Sequence, residues 1–216
     1  VTRALIALLL AGGLIATPGA PGVASTVVGS AASTDPIALQ LGEPREAGRG
    51  TLRFLGMRVY EALLWVPAQG SASSERSGAL SAPFDRDFAL ELVYAMELPG
   101  ARIAERSDVE IGRSPERGTP AQRARWLERM RAIFPDVRAG DRIVGVYRVN
   151  GPSRFFFNGK PIGEVDDPAF GRAFFGIWLD AKTSEPSLRE ALLRGLAPSA
   201  STPARASAVP VEPSNR

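Results

Sequence analysis

The chain of 216 residues carries neither Cys nor His. Thiol nucleophiles, disulfides, thiolate or imidazole metal sites and His-based proton transfer are therefore excluded. A carboxylate-only metal site stays open, but no loop of regularly spaced Asp ligands is present; neither metal nor cofactor is expected. Basic residues number 26 against 23 acidic, a net charge of +3. That balance is too slight to point to nucleic acid.

Arg3 precedes an uninterrupted apolar run over residues 4–16, and Pro18, Gly19, Pro21 and Gly22 then break a helix. Gly22-Val23-Ala24 fits a small-x-small cleavage site. This layout predicts a secretion signal over residues 1–24, with Ser25 or Ala31 as alternative cut points. The run is short for a membrane span, and no Cys follows it for lipid attachment. The expected mature protein is periplasmic or secreted. A small, polar linker follows over residues 25–35.

Beyond it, residues 37–41 read as a short strand. Residues 51–66 read as two strands with a tight turn or bulge at Gly56, and residues 69–82 as a Gly/Ser/Ala loop. Phe88, Leu90, Leu92, Tyr94 and Met96 alternate as in a half-buried strand. A helix is predicted over residues 101–111. Thr119-Pro120-Ala121-Gln122 starts another with a capping box and Pro at its first position. Trp126, Met130 and Phe134 form that helix's core stripe.

Residues 141–149 and 154–157 read as strands, with Asn150-Gly151 and Asn158-Gly159 as hairpin turns. The phenylalanines at 155–157 lack the pattern of an RNA-binding strand. Asp167-Pro168 opens a helix with Phe170, Phe174, Ile177 and Trp178 on one face. Ser184 or Glu185 with Pro186 starts a last helix over residues 188–194, closed by Gly195. Residues 198–216 have too little apolar surface to pack and are expected to be disordered. Helices fall in blocks rather than alternating with strands. The class is α+β, an antiparallel sheet with helices on one face.

Three stretches carry a family likeness. They are Leu-Arg-Phe-Leu-Gly-Met-Arg-Val-Tyr-Glu-Ala-Leu-Leu-Trp at 52–65, Asn-Gly-Lys-Pro-Ile-Gly at 158–163, and Phe170 with Phe-Phe-Gly-Ile-Trp-Leu at 174–179. Together with residues 184–193 they resemble the bacterial chalcone isomerase-like proteins, over residues 36–197. The resemblance implies an open-faced β-sandwich, a large antiparallel sheet packed against a layer of helices. Family enzymes of plants close a chalcone to a flavanone. An Arg on a strand binds the phenolate oxygen, and helix residues stabilise the enolate. Relatives without that activity bind fatty acids in the same cleft.

Carried over by residue, the strand Arg falls on Arg53, with Arg49 as the alternative. Anchored on Gly100, the enzymes' helix Tyr, Lys and Asn become Ile103, Arg106 and Glu110. The change to Ile deletes a hydroxyl, and the change to Glu puts a negative charge beside a developing oxyanion, which opposes catalysis. An ordinary ion pair is the plainer reading of Arg53, Arg106 and Glu110.

Three functions compete. One is an exported binder of a small apolar anion such as a fatty acid, at Arg53, Tyr60, Ile103, Arg106 and Glu110. Another is an isomerase or lyase with Arg53 as oxyanion clamp and Tyr60 or Glu110 moving the proton. The third is an envelope interaction module without ligand, which predicts a filled sheet–helix interface.

Overall fold

The computed structural model describes residues 35–68 and 83–196. The signal segment, the linker short of Asp35, the 69–82 loop and the tail lie outside the described residues.

The first element corrects the sequence reading. Residues expected as a strand form helix α1, Pro36–Leu41. Asp35 accepts a hydrogen bond from Ile37 N at 3.0 Å, Pro36 fills the first helical turn, and Gly42 at φ +77° ends it. Those local start and stop signals outweigh the short apolar run.

Six strands follow as a plain antiparallel meander: β1 Pro44–Phe54, β2 Met57–Pro67, β3 Phe88–Tyr94, β4 Arg142–Tyr147, β5 Ser153–Phe157 and β6 Lys160–Val165. Two turns are two-residue hairpins with positive φ at both positions, Leu55-Gly56 at +49° and +83°, and Asn158-Gly159 at +47° and +85°. This geometry matches the right-handed twist of the flanking strands. Asn150-Gly151 instead lies within a longer connection, 148–152, and only Asn150 is left-handed there, at φ +57°.

Strand β3 is buried on both faces rather than half-buried. Phe88, Leu90, Leu92 and Tyr94 enter the main core. Ala89 joins a smaller cluster on the other face with Ile37 and Leu41 of α1. Glu91, 2% exposed, accepts from Trp65 Nε1 at 2.9 Å and pairs with Arg142.

Four further helices cover the main-core face: α2 Gly100–Gly112, α3 Pro120–Ile133, α4 Pro168–Leu179 and α5 Pro186–Leu193. The expected capping box starts α3. One carboxylate joins two helices: Asp167 Oδ1 caps α4 at Ala169 N, and its Oδ2 accepts from Trp126 Nε1 of α3, both at 2.9 Å. Phe88, Phe155, Phe170 and Phe175 are almost fully buried between sheet and α4. The fold is thus α+β, an open antiparallel sheet under a helical layer.

Helix α5 lies on β1 with backbone nearly touching backbone. A Cβ on Gly48 would stand 2.2 Å from the Ala191 carbonyl oxygen. Exchanging a strand glycine for Ala ordinarily gains about 0.5–1 kcal/mol. Gly48→Ala is expected to do the reverse and cost about 1–3 kcal/mol as overpacking. A urea midpoint equal to or above wild type would show that α5 does not depend on this contact.

Candidate functional site

Helix α2 makes its closest contacts with α3 and α4. Gly100 sets the first of these contacts: a Cβ there would lie 2.1 Å from the Phe134 carbonyl oxygen, and its N–H donates to Asp136 Oδ1 at 2.8 Å. The gap left between α2 and the sheet is an open cavity of about 340 Å³. Its walls are mainly apolar, with Leu52, Phe54 and Val59 on the first hairpin and Leu92 and Ile143 on the central strands. Phe134, Phe174, Ile177 and Trp178 complete them from the helical side. Volume and lining are those of a small-molecule site.

A bulge shapes the sheet wall. Leu52 pairs with Tyr60 and Arg53 with Arg58, so Val59 is the extra residue. Val59 and Tyr60 therefore both reach the cavity although they are consecutive.

Polar groups gather at one side. Ile103, Arg106 and Glu110 stand on one face of α2, as spacings of three and four dictate. Glu110, 7% exposed, is fully engaged. Arg106 Nη2 bonds its Oε1, Ser184 Oγ donates to Oε2 at 2.9 Å, and Arg113 Nε lies 3.6 Å from Oε2. The Tyr60 hydroxyl accepts from Trp178 Nε1 at 2.9 Å, and its ring meets Tyr94 edge-on at 6.0 Å. Burial holds the Tyr60 and Tyr94 phenols well above their ordinary range, so both stay protonated. Glu185 faces the same cavity; burial first, then the Glu110 carboxylate, raise its pKa.

Tyr60, Ile103, Arg106 and Glu110 thus meet around one cavity, and Arg53 does not join them. Strand alternation puts Leu52 and Phe54 on the cavity face and Arg53 on the other, where it is exposed and donates to Gly56 O at 3.2 Å. Arg49 is also outside the cavity, ion-paired to Glu46 on the surface. The cavity's arginines come instead from α2: Arg106 and Arg102, the latter bonded to Glu105 at 3.1 Å. Arg102, Tyr94, Ser184 and Glu185 were not expected at the site from the sequence. Arg102 sits one turn before Arg106, a spacing that could have signalled it. Ser184 and Glu185 arrive through a long-range contact that no local pattern announces. Among the described residues no cluster of three or more potential metal ligands occurs.

The family model described as chalcone isomerase-like matches residues 46–194. The chain belongs to the chalcone isomerase-like family. Among solved structures, a fatty-acid binding protein of Arabidopsis thaliana superposes with a TM-score of 0.56 at 14% identity, covering 72% of this chain and 89% of that one. At that identity the likeness is one of fold. Among curated proteins no relative matches the sequence. In this chalcone isomerase-like chain the space under α2 is bordered by Glu110, which is paired with Arg106.

The raised pKa of Glu185 has a stability consequence. A carboxyl whose folded value exceeds its ordinary 4.5 costs no stability below that value. It becomes destabilising as pH rises through the window above it. Glu185→Gln is expected to raise the urea midpoint near pH 7 and leave it unchanged near pH 4. An equal shift at both values would contradict the assignment.

Proposed function

We propose that this protein is a non-catalytic binder of a small apolar anion, a fatty acid being the model ligand. The observation carrying this reading is the open apolar cavity of about 340 Å³ with Arg106 among its walls. A ligandless envelope module would have filled that space with side chains. The hydrocarbon chain would lie along Leu52, Val59, Leu92 and Ile143, removed from water. The carboxylate would meet Arg106, whose Nη2 alone bonds Glu110, leaving other N–H donors for a ligand.

The same geometry argues against an isomerase or lyase. Arg53, the proposed oxyanion clamp, is outside the cavity. Tyr60 has its pKa moved up, the wrong direction for a base. Glu110 is neutralised by Arg106 and already bonded to Ser184. The fatty-acid ligand of the Arabidopsis protein, a fold neighbour, supports the choice of ligand class. Export belongs to the same reading, and the intact mass of protein recovered from the periplasm or medium is expected to begin near Ser25. A mass retaining Val1 would remove export.

Calorimetric titration with dodecanoate and its amide tests the binding. Wild type is expected to bind the acid more tightly than the amide. Arg106→Gln is expected to weaken acid binding about tenfold to a hundredfold, the usual worth of a bond to a charged group, and to change amide binding much less. Ile103→Trp, which fills the cavity, is expected to abolish both. No heat with wild type would remove the binder reading. Full binding by Ile103→Trp would place the ligand elsewhere.

A further inference from the structure

The tip of the first hairpin, residues 53–58, breaks several local rules at once. Leu55 occupies a left-handed turn position at φ +49°, a conformation that costs a branched residue energy and suits Gly or Asn. It is also 80% exposed, and Met57 beyond the turn is 45% exposed. Arg53 and Arg58 are direct cross-strand partners, and like charges facing each other across a ribbon repel. Both are exposed, and neither makes an ion pair among the described residues. No acidic residue lies between positions 53 and 58. A tip that only had to close the hairpin would carry Asn-Gly, as the turn at 158–159 does.

The tip also touches the cavity. Phe54, one of its walls, pairs with Met57, and in-register partners share a face of the ribbon. Apolar surface therefore runs from the exposed tip into the cavity wall. Val109 of α2, also a cavity wall residue, is 52% exposed.

We infer that this tip docks on an anionic lipid bilayer, with Leu55 and Met57 in the interface and Arg53 and Arg58 on acidic headgroups. Apolar side chains flanked by arginines are the combination that lipid interfaces hold. Headgroup charge would offset the Arg53–Arg58 repulsion, and the apolar interface would take the two side chains that water surrounds. This role accounts for Arg53, which the cavity does not use. It is independent of the cavity's ligand. Exchange of a fatty acid between bilayer and cavity would rest on the reading above as well.

Because the protein has no Cys, Leu55→Cys can carry a single environment-sensitive nitrobenzoxadiazole label on the full chain. With phosphatidylglycerol-containing vesicles the emission is expected to shift to the blue and brighten, and to revert with added salt. Vesicles of phosphatidylcholine alone are expected to give little change. In co-sedimentation of the unlabelled protein, Arg53→Glu/Arg58→Glu is expected to lower anionic-vesicle binding by about tenfold or more. Leu55→Gly relieves the backbone strain, so it is expected to keep or raise the melting temperature while losing vesicle binding. No spectral change with anionic vesicles would overturn the proposal, as would an equal change with neutral ones. The same blue shift appearing without vesicles as protein concentration rises would assign the tip to a second copy of the chain and overturn it too.

Discussion

The cavity exists because α2 rests chiefly on α3 and α4 and stands off part of the sheet. At Gly100 the α2 backbone sits so close to the Phe134 carbonyl that no side chain fits between them. An antiparallel bridge between Leu98 and Val137 secures the approach to that contact. The helix is thus fixed at its start against the end of α3, and along its length by α3 and α4. Its face with Ile103, Arg106 and Glu110 borders the open space. In most α+β domains such a gap would collapse onto apolar side chains, since close packing stabilises the core. Here α4 and α5 supply that density elsewhere, with Phe170 and Phe175 buried on α4 and α5 pressed against Gly48.

The charged residues at the cavity are organised by the same helix. Arg106 and Glu110, one turn apart on α2, neutralise each other, and Ser184 from the approach to α5 completes the carboxylate's bonding. Glu185 beside them has its neutral form favoured by burial. The polar side is therefore close to balanced, with spare donors on the arginines and on the protonated Tyr60 and Tyr94 hydroxyls. That arrangement fits the proposed binding of an anion. Both phenols keep their protons, and the Tyr60 oxygen accepts from Trp178 Nε1.

Much of this fold was legible in the sequence because its signals are local. Thr119-Pro120 with Gln122, Asp167-Pro168 and Asn158-Gly159 each specify a helix start or a turn through bonds made within a few residues. The segment 37–41 misled because its apolar run is too short to show a period, while the deciding Asp35–Pro36 cap lies just before it. At the site, Ile103, Arg106 and Glu110 were readable as one helix face. Arg53 was misplaced because a resemblance fixes a position in the chain, not a side of a strand. Alternation with Leu52 and Phe54 turns it outward, and the extra residue Val59 shifts the register to Tyr60. Glu185 and Ser184 depend on where α5 docks, which the glycines of β1 decide from about 140 residues away in the chain.

The central claim is that an acyl chain lies between α2 and the sheet. Trp178 borders that space, whereas Trp65 and Trp126 do not. Bromine quenches indole fluorescence only at contact, so titration with bromoundecanoate locates the chain. The account predicts saturable quenching in wild type that disappears in Trp178→Phe while calorimetric binding persists. Quenching that survives in Trp178→Phe, or none in wild type at saturation, would contradict it.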